Sequence, residues 1–101
     1  MTKMQQVKIN SNRLWDRIMQ LGEIGATLEG GVSRFAFSSE DKEAKKLIIR
    51  WMEDAGLTTW VDNAGNVFGR IEGNTKNPAI LIGSHMDSVP NGGKFDGVAG
   101  V

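Results

Sequence analysis

From Asn10 onward, apolar residues Leu14, Ile18 and Leu21 recur at i, i+4 and i+7, and Trp15 with Met19 widens the stripe. That spacing predicts an amphipathic helix opened by Asn10 or Ser11. Gly22 and Gly25 weaken its second half, and Gly30-Gly31 is expected to end it. A second helix is predicted in "SSEDKEAKKLIIRWMEDAGL". Ser38 with Asp41 three residues later resembles a capping box, and the acidic first turn suits the helix dipole. Ala44, Leu47, Ile48, Trp51 and Ala55 mark its apolar face, and Gly56 sits where a C-terminal cap belongs.

The period then changes. "LTTWVD" is a short β-branched and aromatic run, "NAGN" a turn signal, and "NVFGRIEG" resumes extended structure with Val67, Gly69 and Ile71 on one face. After a further turn in "GNTKNP" comes "AILIGSH", an unbroken apolar run of the kind expected for a strand buried on both faces. The predicted class is α/β: two helices, a strand pair, then a buried central strand. Asp96 stands where it could cap a helix beginning at Gly97, of which the chain holds only a few residues. We therefore read the sequence as the N-terminal piece of a longer protein.

The 101 residues suit one small domain. Twelve basic and twelve acidic side chains balance, which points to neither a polyanion nor an acidic membrane surface as partner. Lys42, Lys45, Lys46 and Arg50 form one solvated helix face mixed with acids, so no nucleic-acid partner is expected. Absence of cysteine excludes disulfides, thiolate catalysis and Cys-based zinc sites. The N-terminus lacks the apolar core of a signal peptide and no run is long enough to span a bilayer, which fits a cytoplasmic protein. Trp15, Trp51 and Trp60 are assigned to the core, no phosphate-binding glycine loop is present, and Arg34 in "GGVSRFAF" could line the active-site side, although nothing in the sequence demands it.

One histidine remains, in "LIGSHMDSVPNGGKFDG". Gly83-Ser84-His85-Met86 has the letters of a cleaved affinity tag, but a tag remnant lies at a chain start, and these continue an apolar strand deep inside the sequence. At a strand end, His85 and Asp87 share a face about 6–7 Å apart along the backbone. A carboxylate there can take one imidazole N–H while the other nitrogen binds a metal. The turn Pro90–Gly93 can bring Asp96 back beside His85, where a carboxylate could bridge two dications about 3.5–4 Å apart. The plainer alternatives are a hydrogen-bonded histidine, an Asx turn at Asp87 and a helix cap at Asp96. One His and two Asp cannot by themselves complete a two-metal site.

"GSHMDSVPNGGKFDGVAGV" resembles the metal-binding signature of the dinuclear aminoacylases and exopeptidases. More narrowly it is similar to the branch of N-carbamoyl-L-amino acid amidohydrolases (hydantoinase/carbamoylase family) and allantoate amidohydrolases. The similarity takes in "EGGVSRFAFSSEDKEA" and "WMEDAGLTTWVDNAGNVFGRIEG", and runs from about Asn10 to Val101. The resemblance implies that residues 1–101 are the N-terminal portion of a metallo-exopeptidase-like catalytic domain. It matches His85 to the first metal ligand, Asp96 to the bridging carboxylate, and Asp87 to the catalytic-site aspartate that orients the histidine. The family's Glu-Glu pair, further histidines and dimerisation domain would lie beyond Val101. For the full-length protein the resemblance implies a homodimer holding two divalent ions (Zn, Mn, Co or Ni). It would hydrolyse the carbamoyl or ureido C–N bond of a small substrate, N-carbamoyl-L-amino acids or allantoate. The fragment alone is expected to be inactive. The alternatives are a related exopeptidase or aminoacylase, and a non-catalytic truncated α/β module.

Overall fold

The computed structural model describes residues 6–74 and 76–101; Thr75, within the predicted turn "GNTKNP", and residues 1–5 lie outside the described residues. Helix α1 spans Ser11–Glu23, and its N-cap Asn10 accepts from the Arg13 backbone N–H at 3.0 Å. It is shorter than the spacing predicts. Ile24 leaves the helical region and Gly25 adopts φ 85°, where an added Cβ would run into the Ser33 carbonyl. The chain then doubles back: Gly25 O accepts from Ser33 N at 2.8 Å, and Ala26 bridges Val32. A long-range return, not the glycine pair at 30–31, ends the helix.

Helix α2 covers Ser39–Asp54, with the Ser38 hydroxyl accepting from Asp41 N at 3.1 Å. Asp41 is buried, and its carboxylate accepts from Phe37 N at 3.0 Å and pairs with Lys45 at 3.1 Å. At the far end Gly56 takes φ 90° and Leu57 N reaches Met52 O, so the predicted cap position holds. Ala44 and Ile48 of α2 close on Ile18 and Leu21 of α1 and on Val98, making the core. Met19, Leu47, Trp51, Met52 and Met86 pack around it. The expectation of three core tryptophans is corrected. Trp51 borders the core, whereas Trp15 lies exposed against Phe95 and Trp60 exposed on Phe68, each pair covering the other's ring.

Strands β1 (Thr58–Val61) and β2 (Val67–Arg70) pair antiparallel, Thr58 opposite Arg70 and Val61 opposite Val67. In the connecting turn Asp62 accepts from Ala64 N, Asn66 N and the Asn66 amide, at 3.0, 2.8 and 3.0 Å. Those bonds favour the ionised form and hold its carboxyl below the ordinary 3.8. Gly69 lets β2 lie directly on Met52 and Leu57, since a Cβ there would fall 2.8 Å from either side chain.

Two helices followed by a strand pair are thus present, in the α/β order predicted. The buried central strand is not. The segment Ala79–His85 carries no strand pairing among the described residues, and Ile80, Leu81 and Ile82 are 93%, 81% and 86% exposed. Burial on both faces needs partner strands at both edges and helices on both sides. β1 and β2 pair only with each other, so the apolar run lies uncovered. The helix expected after Asp96 is one 3-10 turn, Val98–Gly100, without a side-chain cap.

Candidate metal centre

The three predicted residues lie on a loop that the return strand of α1 holds in place. Val32 and Gly92 exchange both backbone hydrogen bonds, at 2.8 and 2.7 Å. Asn91, at φ 48°, takes the turn's left-handed position, donates its N–H to Ser33 Oγ at 2.8 Å and accepts from the Thr27 hydroxyl. Ser88 N donates to Arg34 O at 2.7 Å, while the Ser88 hydroxyl accepts from Arg34 N and donates to Val32 O. With both ends of residues 88–92 fixed, the chain reverses and carries Asp96 back to His85, as the glycine-rich turn predicts. The Ser84 hydroxyl closes the return by donating to Gly97 O at 2.7 Å.

His85 Nε2 lies 3.8 Å from Asp96 Oδ1. The other nitrogen, Nδ1, faces Asp87, but the nearer acceptor is that residue's backbone carbonyl at 3.1 Å; its carboxylate Oδ1 is at 3.5 Å. A carbonyl can only accept, so this contact is a hydrogen bond only with a proton on Nδ1; the neutral tautomer of that kind leaves the Nε2 lone pair on the side of Asp96. All three side chains are about half exposed. His85 and Asp87 are among the residues lining an open cleft of about 690 Å³, together with Phe37, Lys45 and Met52.

The donors fit a shared divalent ion. Nitrogen and oxygen ligands sit about 2.0–2.2 Å from zinc, so two donors on one ion are about 3.4 Å apart at a tetrahedral angle and at most about 4.3 Å. The observed 3.8 Å falls within that span. The set is also incomplete: among the described residues no group of three or more His, Cys, Asp or Glu converges on one point.

The sequence offers Arg34 a place on the active-site side without demanding it or naming its partners. Its side chain is the largest of those fully buried, and it donates from Nε to Met86 O at 2.8 Å and from Nη1 to Leu21 O and Ile24 O at 2.8 and 2.9 Å. Burial lowers its pKa from the ordinary guanidinium value, and the carboxylates of Asp41 and Asp87 oppose that shift. The available signal was alternation: Val32 and Arg34, two apart, point inward together at 1% and 2% exposure.

No family model matches this chain. It is 56% identical over 99 residues to the N-carbamoyl-L-amino-acid amidohydrolase of Pseudomonas sp. (strain NS671), an alignment covering 97% of this chain and 24% of that protein. The allantoate amidohydrolase of Bacillus subtilis (strain 168) is 42% identical over 101 residues, again 97% and 24% of the two chains. Among solved structures, a hydantoinase/carbamoylase family amidase from Burkholderia ambifaria superposes with a TM-score of 0.89 at 45% identity, covering 92% of this chain and 23% of that one. The chain thus spans about a quarter of the length of the relatives it matches. Similarity in sequence and fold, running through the His85–Asp96 loop, places this chain by homology in the hydantoinase/carbamoylase family of N-carbamoyl-amino-acid and allantoate amidohydrolases.

Proposed function

We propose that this chain contributes half of a dinuclear metal site to a longer amidohydrolase, which cleaves the carbamoyl or ureido C–N bond of N-carbamoyl-L-amino acids or allantoate. The observation that carries the proposal is the turning of His85 Nε2 toward Asp96, with Nδ1 engaged by Asp87. The activities for which the relatives are named supply the reaction. That the chain acts within a larger fold is supported by the uncovered run Ile80–Ile82 and by the incomplete donor set.

In this reading His85 Nε2 and Asp96 would hold the divalent ions, Asp96 in the role of the family's shared carboxylate, and the ions would supply Lewis acidity toward the substrate carbonyl. Asp87 keeps the imidazole in one tautomer and one orientation. Gly97 brings Asp96 against the ring, and the cleft beside His85 gives a small substrate access from one side. A Zn, Mn, Co or Ni ion is compatible with a His/Asp pair, since borderline metals share these donors.

The test uses the full-length gene product. Ammonia release from N-carbamoyl-L-amino acids or allantoate should be abolished by a chelator and restored by one of those metals. Asp96→Ala should remove nearly all turnover. Turnover that survives exhaustive chelation sinks the proposal, and preferential hydrolysis of dipeptides or N-acetyl amino acids replaces the substrate class.

A further inference from the structure

We propose that Arg34 is the positioning residue of this half-site: its guanidinium ties the His85–Asp87 backbone to the end of α1 and so decides which imidazole nitrogen faces Asp96. The inference rests on the metal-site reading above for its consequence, but not for its geometry.

Three observations combine. The carbonyls of Leu21, which also accepts from Ile24 N at 3.2 Å, and of Ile24 lie at the terminus of α1, where a cation is favoured by the dipole. α1 has no basic residue in its own last turn, so Arg34 serves that end from outside the helix. The same guanidinium uses a different nitrogen, Nε, to hold Met86 O. Meanwhile Arg34's own peptide groups hold Ser88, its N–H donating to the Ser88 hydroxyl and its carbonyl accepting from Ser88 N.

Residues on both sides of Asp87 are therefore anchored to one arginine. With Met86 O and Ser88 N fixed, the intervening peptide has little freedom, and the Asp87 carbonyl projects onto His85 Nδ1. That contact selects the Nδ1–H tautomer and leaves the Nε2 lone pair to a ligand. A buried guanidinium is a costly way to cap a helix, because desolvating a cation offsets most of its attraction. A glycine cap would serve α1 alone. Holding Met86 in addition requires two separated donors, and an arginine presents them in a rigid fork.

The experiment compares the full-length gene product with its Arg34→Lys and Arg34→Met variants, because this chain alone holds an incomplete donor set. A lysine keeps the charge but offers a single nitrogen, which cannot hold Met86 O and the α1 carbonyls as two fork nitrogens do. In metal-free protein at about pH 8.5, above the ordinary imidazole range, long-range ¹H–¹⁵N spectra report the His85 tautomer directly. Wild type should show Nδ1–H alone. Arg34→Lys should keep its helical circular dichroism and cooperative melt yet populate Nε2–H, and Arg34→Met should do so further. Zinc titration should then show affinity weakened about 10–100-fold, the usual effect of removing a group that orients a metal-binding histidine.

A folded Arg34→Lys with the wild-type tautomer and zinc affinity overturns the proposal. So does an Arg34→Lys that no longer folds, which would assign Arg34 to the fold alone. A wild type that is Nδ1–H but indifferent to zinc sinks the metal reading, while the tautomer comparison still decides the role of Arg34.

Discussion

At Gly97 the backbone takes φ 72°, and an added Cβ would fall 2.6 Å from His85 Nδ1. Two penalties coincide there, an unfavourable dihedral and a collision with the imidazole. Gly97→Ala should cost about 1–3 kcal/mol, read from thermal melts, and should also weaken zinc binding by pushing the ring away from Asp96. Gly93→Ala is the control, since a Cβ at Gly93 meets nothing within 4 Å. It should change stability by less than about 0.5 kcal/mol, and equal losses in the two variants would count against a close approach at Gly97. At this scale the sequence was informative where residues are neighbours along the chain. The return of the turn that brings Asp96 beside His85 follows from glycine placement. The alternation expected to put His85 and Asp87 on one face has no strand behind it, and Asp87 meets Nδ1 most closely through its backbone carbonyl. The role of Arg34 did not follow, because its partners at Leu21, Ile24 and Met86 come from two remote segments.

Elements were legible where their signals are local. Ser38 caps α2 by accepting from Asp41 N, as the spacing predicts. Ser38→Ala should therefore lower stability by about 0.5–2 kcal/mol, and an unchanged denaturant midpoint would argue that Asp41 alone secures the helix start. The β1–β2 turn gives a prediction in pH. Asp62 is held below its ordinary 3.8 by bonds from Asn66 and Ala64, so its contribution is fully present above that value and is lost as pH falls through the lower folded value. Wild type and Asp62→Ala should melt apart at about pH 7 and converge in strong acid; a constant difference would mean that the carboxylate's charge is not what the turn uses. The end of α1 was misjudged for a physical reason. Gly25 at φ 85° is stabilised by Ser33, eight positions on, and no helical periodicity carries that information.

For the whole molecule, surface area makes the strongest statement. A folded monomer of 11.0 kDa should expose roughly 5600 Å², whereas this chain exposes 8177 Å². Its radius of gyration, 15.7 Å, likewise exceeds the roughly 13 Å of a compact hundred-residue domain. Much of that difference comes from residues such as Ile80, Leu81 and Ile82, whose sequence was legible as an interior strand although no described neighbour covers it. Apolarity shows in the letters; the neighbours that would cover such a strand do not. A run of exposed apolar residues with open backbone groups is a template for pairing with another strand. The isolated chain should therefore bind an apolar dye strongly and self-associate with rising concentration in sedimentation experiments. Replacing Ile80 and Ile82 together by Lys should suppress both signals while leaving α1, α2 and their core intact, since these side chains touch neither helix's buried face. If the double variant associates as strongly as wild type, the contact must lie elsewhere, and exposed Trp60, stacked on half-buried Phe68 of the hairpin, would be the next surface to change.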